Sequence, residues 1–181
     1  KTAERAGLVP ALFILRPRMA KPRNPAFSFA PSCGQVPENR GASMSLQMIT
    51  DRIAQAATKA ARAPGSVQLI AVSKVQPDAR GRAILATGHR VFGENYVQEA
   101  QSKWPAFRAE FGPVSVHMIG PLQTNKAKAA VELFDAIHTL DRASLAEKLA
   151  KLAQDRGTCP HLFVQVNTGS EPQKAGVMPQ D

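Results

Sequence analysis

The stretch "VQLIAVSKV", residues 67–75, is the most strand-like segment of this 181-residue chain. Valine, leucine, isoleucine and alanine dominate it, and β-branched side chains suit a pleated, buried strand. The apolar run is short, with Pro64-Gly65 before it and Pro77 after it. A short run of this kind is what a strand buried on both faces of a parallel sheet requires. Where the run ends stands a cation, Lys74.

The flanking segments extend the pattern. Leu46, Ile49, Ile53, Ala56, Ala57 and Ala60 recur at helical spacing over 46–62. Ser45 or Thr50 can cap that helix, and Pro64-Gly65 ends it. Downstream, a helix over 78–88 is closed by Gly88, and "RVFGEN" (90–95) is a short strand. "YVQEAQSKW" predicts a helix stopped by Pro105, and "VSVHMIG" (114–120) a strand. A helix follows over 124–134 with Thr124 as its N-cap, then a strand at 136–140. The helix over 141–157 aligns Leu145, Leu149 and Leu152 and ends at Gly157; a last strand covers 161–169. Five strands thus alternate with four helices after one leading helix, which predicts a parallel α/β sheet with right-handed crossovers. An open Rossmann-type sheet and a (β/α) barrel both fit. No G-x-G-x-x-G follows the first strand, which weakens dinucleotide binding. Walker A, H-E-x-x-H and paired C-x-x-C patterns are absent too.

Composition bounds the function classes. The chain is 44% hydrophobic and 20% charged, enough for one domain with a core, and only 6% aromatic, so a mostly aliphatic core is expected. Net charge is +9, but residues 1–43 hold seven Lys/Arg against two Asp/Glu, a net of +5. The remainder shows no basic stripe with interleaved aromatics, so no nucleic-acid partner is expected. Two dispersed cysteines, Cys33 and Cys159, point to a reducing compartment, the cytoplasm. No segment approaches the ~20 apolar residues of a membrane span, so no membrane partner is expected. Residues 1–43 carry six prolines and no sustained apolar period. They are expected to be a disordered, Pro-rich leader or a gene-model extension, an Arg-bearing transit peptide being the other choice. The ordered domain is expected over 44–181.

In parallel α/β folds the functional residues lie at the C-terminal ends of strands. Here those ends read "SK" (73–74), "GEN" (93–95), "IGPLQTNK" (119–126), "LD" (140–141) and "QVNTGSE" (165–171), a consistently polar pole. Lys74 can be a lysine snorkelling from the rim. It can equally be an amine at the rim of a dry pocket, where the free base attacks a carbonyl carbon and forms a Schiff base. Glu94 and Asn95 suit turn chemistry or ligand contact equally. His117 reads as a core or rim histidine, and His89, His138 and His161 are too dispersed in sequence to predict a metal site. Asn125 and Lys126 open a helix, where capping is the plainer role. Cys159 beside Pro160 reads as an inert loop thiol.

Taken in order, "LIAVSKVQP", "VFGENYVQEAQSK", "HMIGPLQTNKAK", "HTLDRASLAEKL" and "LFVQVNTGSEPQKAGV" closely resemble the pyridoxal phosphate homeostasis protein family, over roughly residues 46–178. The resemblance implies a TIM barrel of the alanine-racemase N-terminal type with a leading helix, here truncated to about five strands. It implies that Lys74 holds pyridoxal 5′-phosphate as a Schiff base and that Asn95 lies beside the cofactor. It implies a carrier or buffer in vitamin B6 homeostasis, with no catalytic residues and no metal, and with pyridoxal-phosphate-dependent apoenzymes as recipients. The alternative is a fragment of an amino-acid (alanine) racemase, which needs an acid/base on each face of the cofactor and a second domain. A TIM barrel takes about 250 residues, and 138 follow from Met44 to the end. The chain is therefore expected to be a fragment that binds the cofactor weakly or not at all, because phosphate in such barrels is held by later loops.

Overall fold

The computed structural model describes residues 11–15, as backbone, and 45–180. They fall into two compact units, one of residues 13–15 and 45–69 and one of 11–12 and 70–180. A strand, β1 (Ala11–Leu15), occurs within the Pro-rich segment. The rest of residues 1–43, and with it the expected leader, lies outside the described residues.

In the first unit, α1 (Leu46–Lys59) is capped by Ser45, whose Oγ accepts from the Met48 N–H at 3.3 Å. Thr50, the other candidate cap, instead donates to the Leu46 carbonyl inside the helix. The helix stops short of its expected end because Ala61 turns left-handed, with φ of 50°.

β2 (Val67–Val72) is followed by α2 (Asp78–Ala86), β3 (Val91–Glu94), α3 (Val97–Phe111) and β4 (Ser115–Met118). A single 3₁₀ turn (Thr124–Lys126) leads into α4 (Ala127–Leu133), β5 (Ala136–Leu140), α5 (Ala143–Arg156) and β6 (His161–Val164). From β2 onward every strand lies parallel to the next in chain order. A doubly wound sheet reverses its strand order at a switch point. No such reversal occurs between β2 and β6, so the sheet is singly wound and the Rossmann alternative falls.

Side chains alternate between the two faces of a strand. Phe92, Val116, Met118 and Ile137 face the helices and join Val97, Trp104, Phe107, Leu145 and Leu149 in one buried core. The expected aliphatic core has an aromatic spine: Phe92 and Trp104 lie 5.0 Å apart by ring centroid, and Trp104 and Phe107 lie 5.5 Å apart edge to face. Among the described residues most aromatics gather in or against this core, which overall composition cannot show.

Other expected boundaries move too, and β6 ends at Val164 rather than at 169. α3 does not stop at Pro105 but runs to Phe111. Pro105 and Gln101 are both exposed, so the Gln101 carbonyl that loses its helical donor faces solvent, while Trp104 and Phe107 anchor the opposite side. Thr124 is not an N-cap: it opens the 3₁₀ turn, and its Oγ1 accepts from Arg142 Nη2 at 3.0 Å. At the lower end, Arg108 joins three elements by donating to the Val114 and Leu133 carbonyls and to Asp135 Oδ2.

Candidate functional site

The C-terminal ends of β2, β3 and β4 come together through the parallel register, in which Val72 pairs with Gly93 and Gly93 with His117. Ser73 to Gln76 form a tight turn, closed by the Gln76 N–H donating to the Ser73 carbonyl at 3.2 Å. Lys74 occupies the second position of this turn and is half-buried. Asn95 follows β3 and is also half-buried. No hydrogen bond or ion pair to a described residue engages the Lys74 amine or the Asn95 side chain.

Gly120, after β4, packs directly on Asn95. A Cβ at Gly120 would lie 2.5 Å from the Asn95 carbonyl oxygen and 2.7 Å from its Cα. The β4 loop is latched in turn by residues that the sequence left without a role. Thr139 Oγ1 donates to the Gly120 carbonyl at 2.7 Å, and Arg142 Nη2 to the Leu122 carbonyl at 2.9 Å. Asn125 is exposed and Lys126 half-buried in the 3₁₀ turn that leads into α4; Lys126 is the N-cap residue of α4 but makes no side-chain capping hydrogen bond.

Beneath Lys74 lies a buried polar cluster. Glu94, which suits turn chemistry or ligand contact by sequence, ends β3 and points toward the helices, fully buried. Its Oε1 accepts from Ser73 Oγ at 2.7 Å, Lys103 Nζ at 3.1 Å and Trp104 Nε1 at 3.1 Å. Its Oε2 is buried without a partner. Lys103 Nζ also donates to the Ser73 carbonyl at 3.0 Å and to Glu99 Oε1 at 3.1 Å. Glu99 Oε1 accepts from the Val75 N–H at 2.7 Å. Burial of the Lys103 ammonium acts to lower its pKa, but Glu94 and Glu99 outweigh it and hold the pKa above the usual lysine range. Sequence spacing held a signal for this cluster, since Glu99 and Lys103 are four apart on one helix.

The face of the sheet opposite the helices carries an imidazole pair. His117 and His138 lie on neighbouring strands, with His117 Nδ1 and His138 Nε2 3.0 Å apart. His138 stacks on Phe163 at a centroid distance of 4.4 Å. His117, read as a core or rim histidine, is buried on the sheet, and parallel pairing gives it a histidine neighbour twenty-one residues away in sequence. Among the described residues no group of three or more potential metal ligands occurs. Burial lowers the His138 pKa from 6.5 to about 4. The neutral ring is favoured only in the folded state, so its stabilisation is full above about pH 6.5 and is lost as pH falls toward 4. Urea unfolding across that range should show stability falling with pH, and His138→Gln should flatten the slope. An unchanged slope in the variant would assign the pH dependence to other groups.

A separate cavity of about 260 Å³ is lined by Gln165, Asn167, Glu171 and Lys174. It involves neither Lys74 nor Asn95. Its polar groups bond one another, Asn167 Nδ2 to the Glu171 carbonyl and Lys174 Nζ to Glu171 Oε1, so they brace the loop after β6. Cys159 is an exposed free thiol. No helix among the described residues is long and apolar enough to cross a membrane.

This geometry has counterparts in known proteins. The family "alanine racemase, N-terminal domain" matches residues 44–181. The pyridoxal phosphate homeostasis protein of Vibrio cholerae is 40% identical over 144 residues, covering 78% of this chain and 61% of that protein. Its Escherichia coli K12 namesake is 37% identical, covering 74% and 57%. The solved structure of PipY from Synechococcus elongatus PCC7942 with PLP bound is 43% identical at a TM-score of 0.59, covering 74% of this chain and 59% of that one. The chain thus spans about three fifths of the length of these relatives. By its matched segment and its singly wound sheet, the chain belongs to the alanine racemase N-terminal domain family, within which it is similar to the pyridoxal phosphate homeostasis proteins.

Proposed function

We propose that residues 44–181 form part of a pyridoxal-5′-phosphate-binding barrel domain that serves intracellular vitamin B6 homeostasis. The observation that carries this is the Lys74 amine, presented on a tight turn at the C-terminal pole and unengaged by described residues, with Asn95 at the end of the neighbouring strand β3. Support comes from relatives named for pyridoxal phosphate homeostasis and from PipY, solved with PLP bound. An aldehyde cofactor requires an amine that can be approached. Lys74 would hold the cofactor through its amine as a Schiff base, with loss of one water. Asn95 would supply a polar contact, with Gly120 setting the position of its loop. When bound, the cofactor supplies an electrophilic carbon that is kept from other amines yet remains transferable. The protein then acts in the cytoplasm as a carrier or buffer without turnover, delivering to apoenzymes that use the cofactor. The relatives' names do not favour an amino-acid racemase.

Titration with pyridoxal 5′-phosphate should produce the yellow Schiff-base absorbance in the unsubstituted chain, and Lys74→Ala should abolish it. Equal absorbance in the variant would overturn the proposal.

A further inference from the structure

We propose that Lys103 is a positioning residue for Lys74: its buried ammonium, shared by Ser73, Glu94 and Glu99, clamps the turn that presents the Lys74 amine. An ammonium has three N–H donors. Those of Lys103 meet three acceptors, at 3.0 Å from the Ser73 carbonyl and 3.1 Å from each of Glu94 Oε1 and Glu99 Oε1. All three routes end on the residues flanking Lys74. Ser73 is gripped at its carbonyl by Lys103, at its hydroxyl by Glu94 and at its N–H by the Gly93 carbonyl at 3.0 Å. Val75 is gripped at its N–H by Glu99, which Lys103 itself holds.

Val75 shows that the clamp imposes a conformation. It is β-branched, 75% exposed and has φ of 56°, in the left-handed region that valine avoids. Packing cannot enforce this at an exposed side chain. The hydrogen bond to Glu99 can, and strain of this kind concentrates where geometry serves function. The cluster is also a costly one to build. Lys103 is 7% exposed and Glu94 fully buried, with one oxygen unpartnered. A packed apolar pair would serve stability as well, but it would hold neither side of the turn by hydrogen bonds.

The proposal rests on Lys74 being the attachment point, so its test includes a readout that needs no cofactor. The double variant Glu94→Gln with Lys103→Met removes both charges together and keeps acceptors for Ser73 and Trp104. Amide hydrogen exchange at Val75, followed by NMR in the cofactor-free chain, should accelerate about tenfold or more, while amides of Ala100 and Phe107 in α3 keep their rates. The rate of pyridoxal-phosphate attachment to Lys74 should fall about tenfold, the scale on which misplaced reacting groups lose rate. Should the double variant fail to fold, Glu99→Ala releases the Val75 N–H from the half-exposed side, with the same two readouts. Unchanged Val75 exchange, or faster exchange with an unchanged attachment rate, overturns the positioning role. Attachment at another lysine in the unsubstituted chain would instead refute the function assigned to Lys74, and Val75 exchange would still decide the clamp.

Discussion

Gly120→Ala should disable the candidate site while leaving most of the fold intact. The added Cβ would sit 2.5 Å, 2.7 Å and 2.9 Å from the carbonyl oxygen, Cα and carbonyl carbon of Asn95. These are backbone atoms, so no side-chain rotation relieves the clash. Gly120 is not free to retreat, because Thr139 holds its carbonyl at 2.7 Å. The loops after β3 and β4 must therefore separate, at a cost of about 1–3 kcal/mol for overpacking. Asn95 moves with them. A thermal melt should show a modest loss of stability, and cofactor attachment at Lys74 should drop about tenfold or more, since small displacements at a site are costly. A variant that attaches the cofactor like the unsubstituted chain would remove Asn95 and its loop from the site.

Trp104→Ala should be the most destabilising single change in the core. The indole is fully buried between Phe92 and Phe107, and its Nε1–H donates to the buried Glu94 carboxylate at 3.1 Å. Truncating a buried aromatic costs about 3–5 kcal/mol, and losing a hydrogen bond to a buried charged group adds to it. Against the roughly 5–15 kcal/mol that stabilises an ordinary domain, this is a large share, and at the low end of that range nearly all of it. Trp104→Phe separates the two contributions. It keeps most of the ring contact and should cost about 1–3 kcal/mol, the penalty of leaving the carboxylate short of a donor. Denaturant unfolding of both variants checks the order; a phenylalanine variant as unstable as the alanine one would mean that the hydrogen bond, not the packing, dominates.

Much of the architecture was legible because the elements are short and well punctuated. "AIHTL" is β5 as read, and Gly157 ends α5 in the left-handed conformation, with φ of 71°. Alternation of strands and helices foretold the parallel sheet, and the polar strand ends lie together at one pole, where Lys74 and Asn95 follow neighbouring strands and Gly120 packs on Asn95. What sequence could not show depends on pairing. Nothing local says that Glu94 turns inward to Lys103 and Trp104, because a Gly-Glu-Asn sequence is ordinary turn chemistry. His117 and His138 become neighbours only through the β4–β5 register. Pro105 looked like a stop because local propensity ignores which face of the helix it occupies. Arg142 and Thr139 read as helix-start and strand residues, yet they latch the loop that supports Asn95.

The most direct measurement is borohydride reduction of the chain after incubation with pyridoxal 5′-phosphate, followed by proteolysis and mass mapping of the reduced lysine adduct. Reduction fixes the linkage, so the measurement reads the point of attachment even where affinity is low. The adduct should map to the peptide that contains Lys74, with Lys103 unmodified in its buried cluster. An adduct concentrated on any other lysine would contradict the assignment of Lys74 as the residue that holds the cofactor.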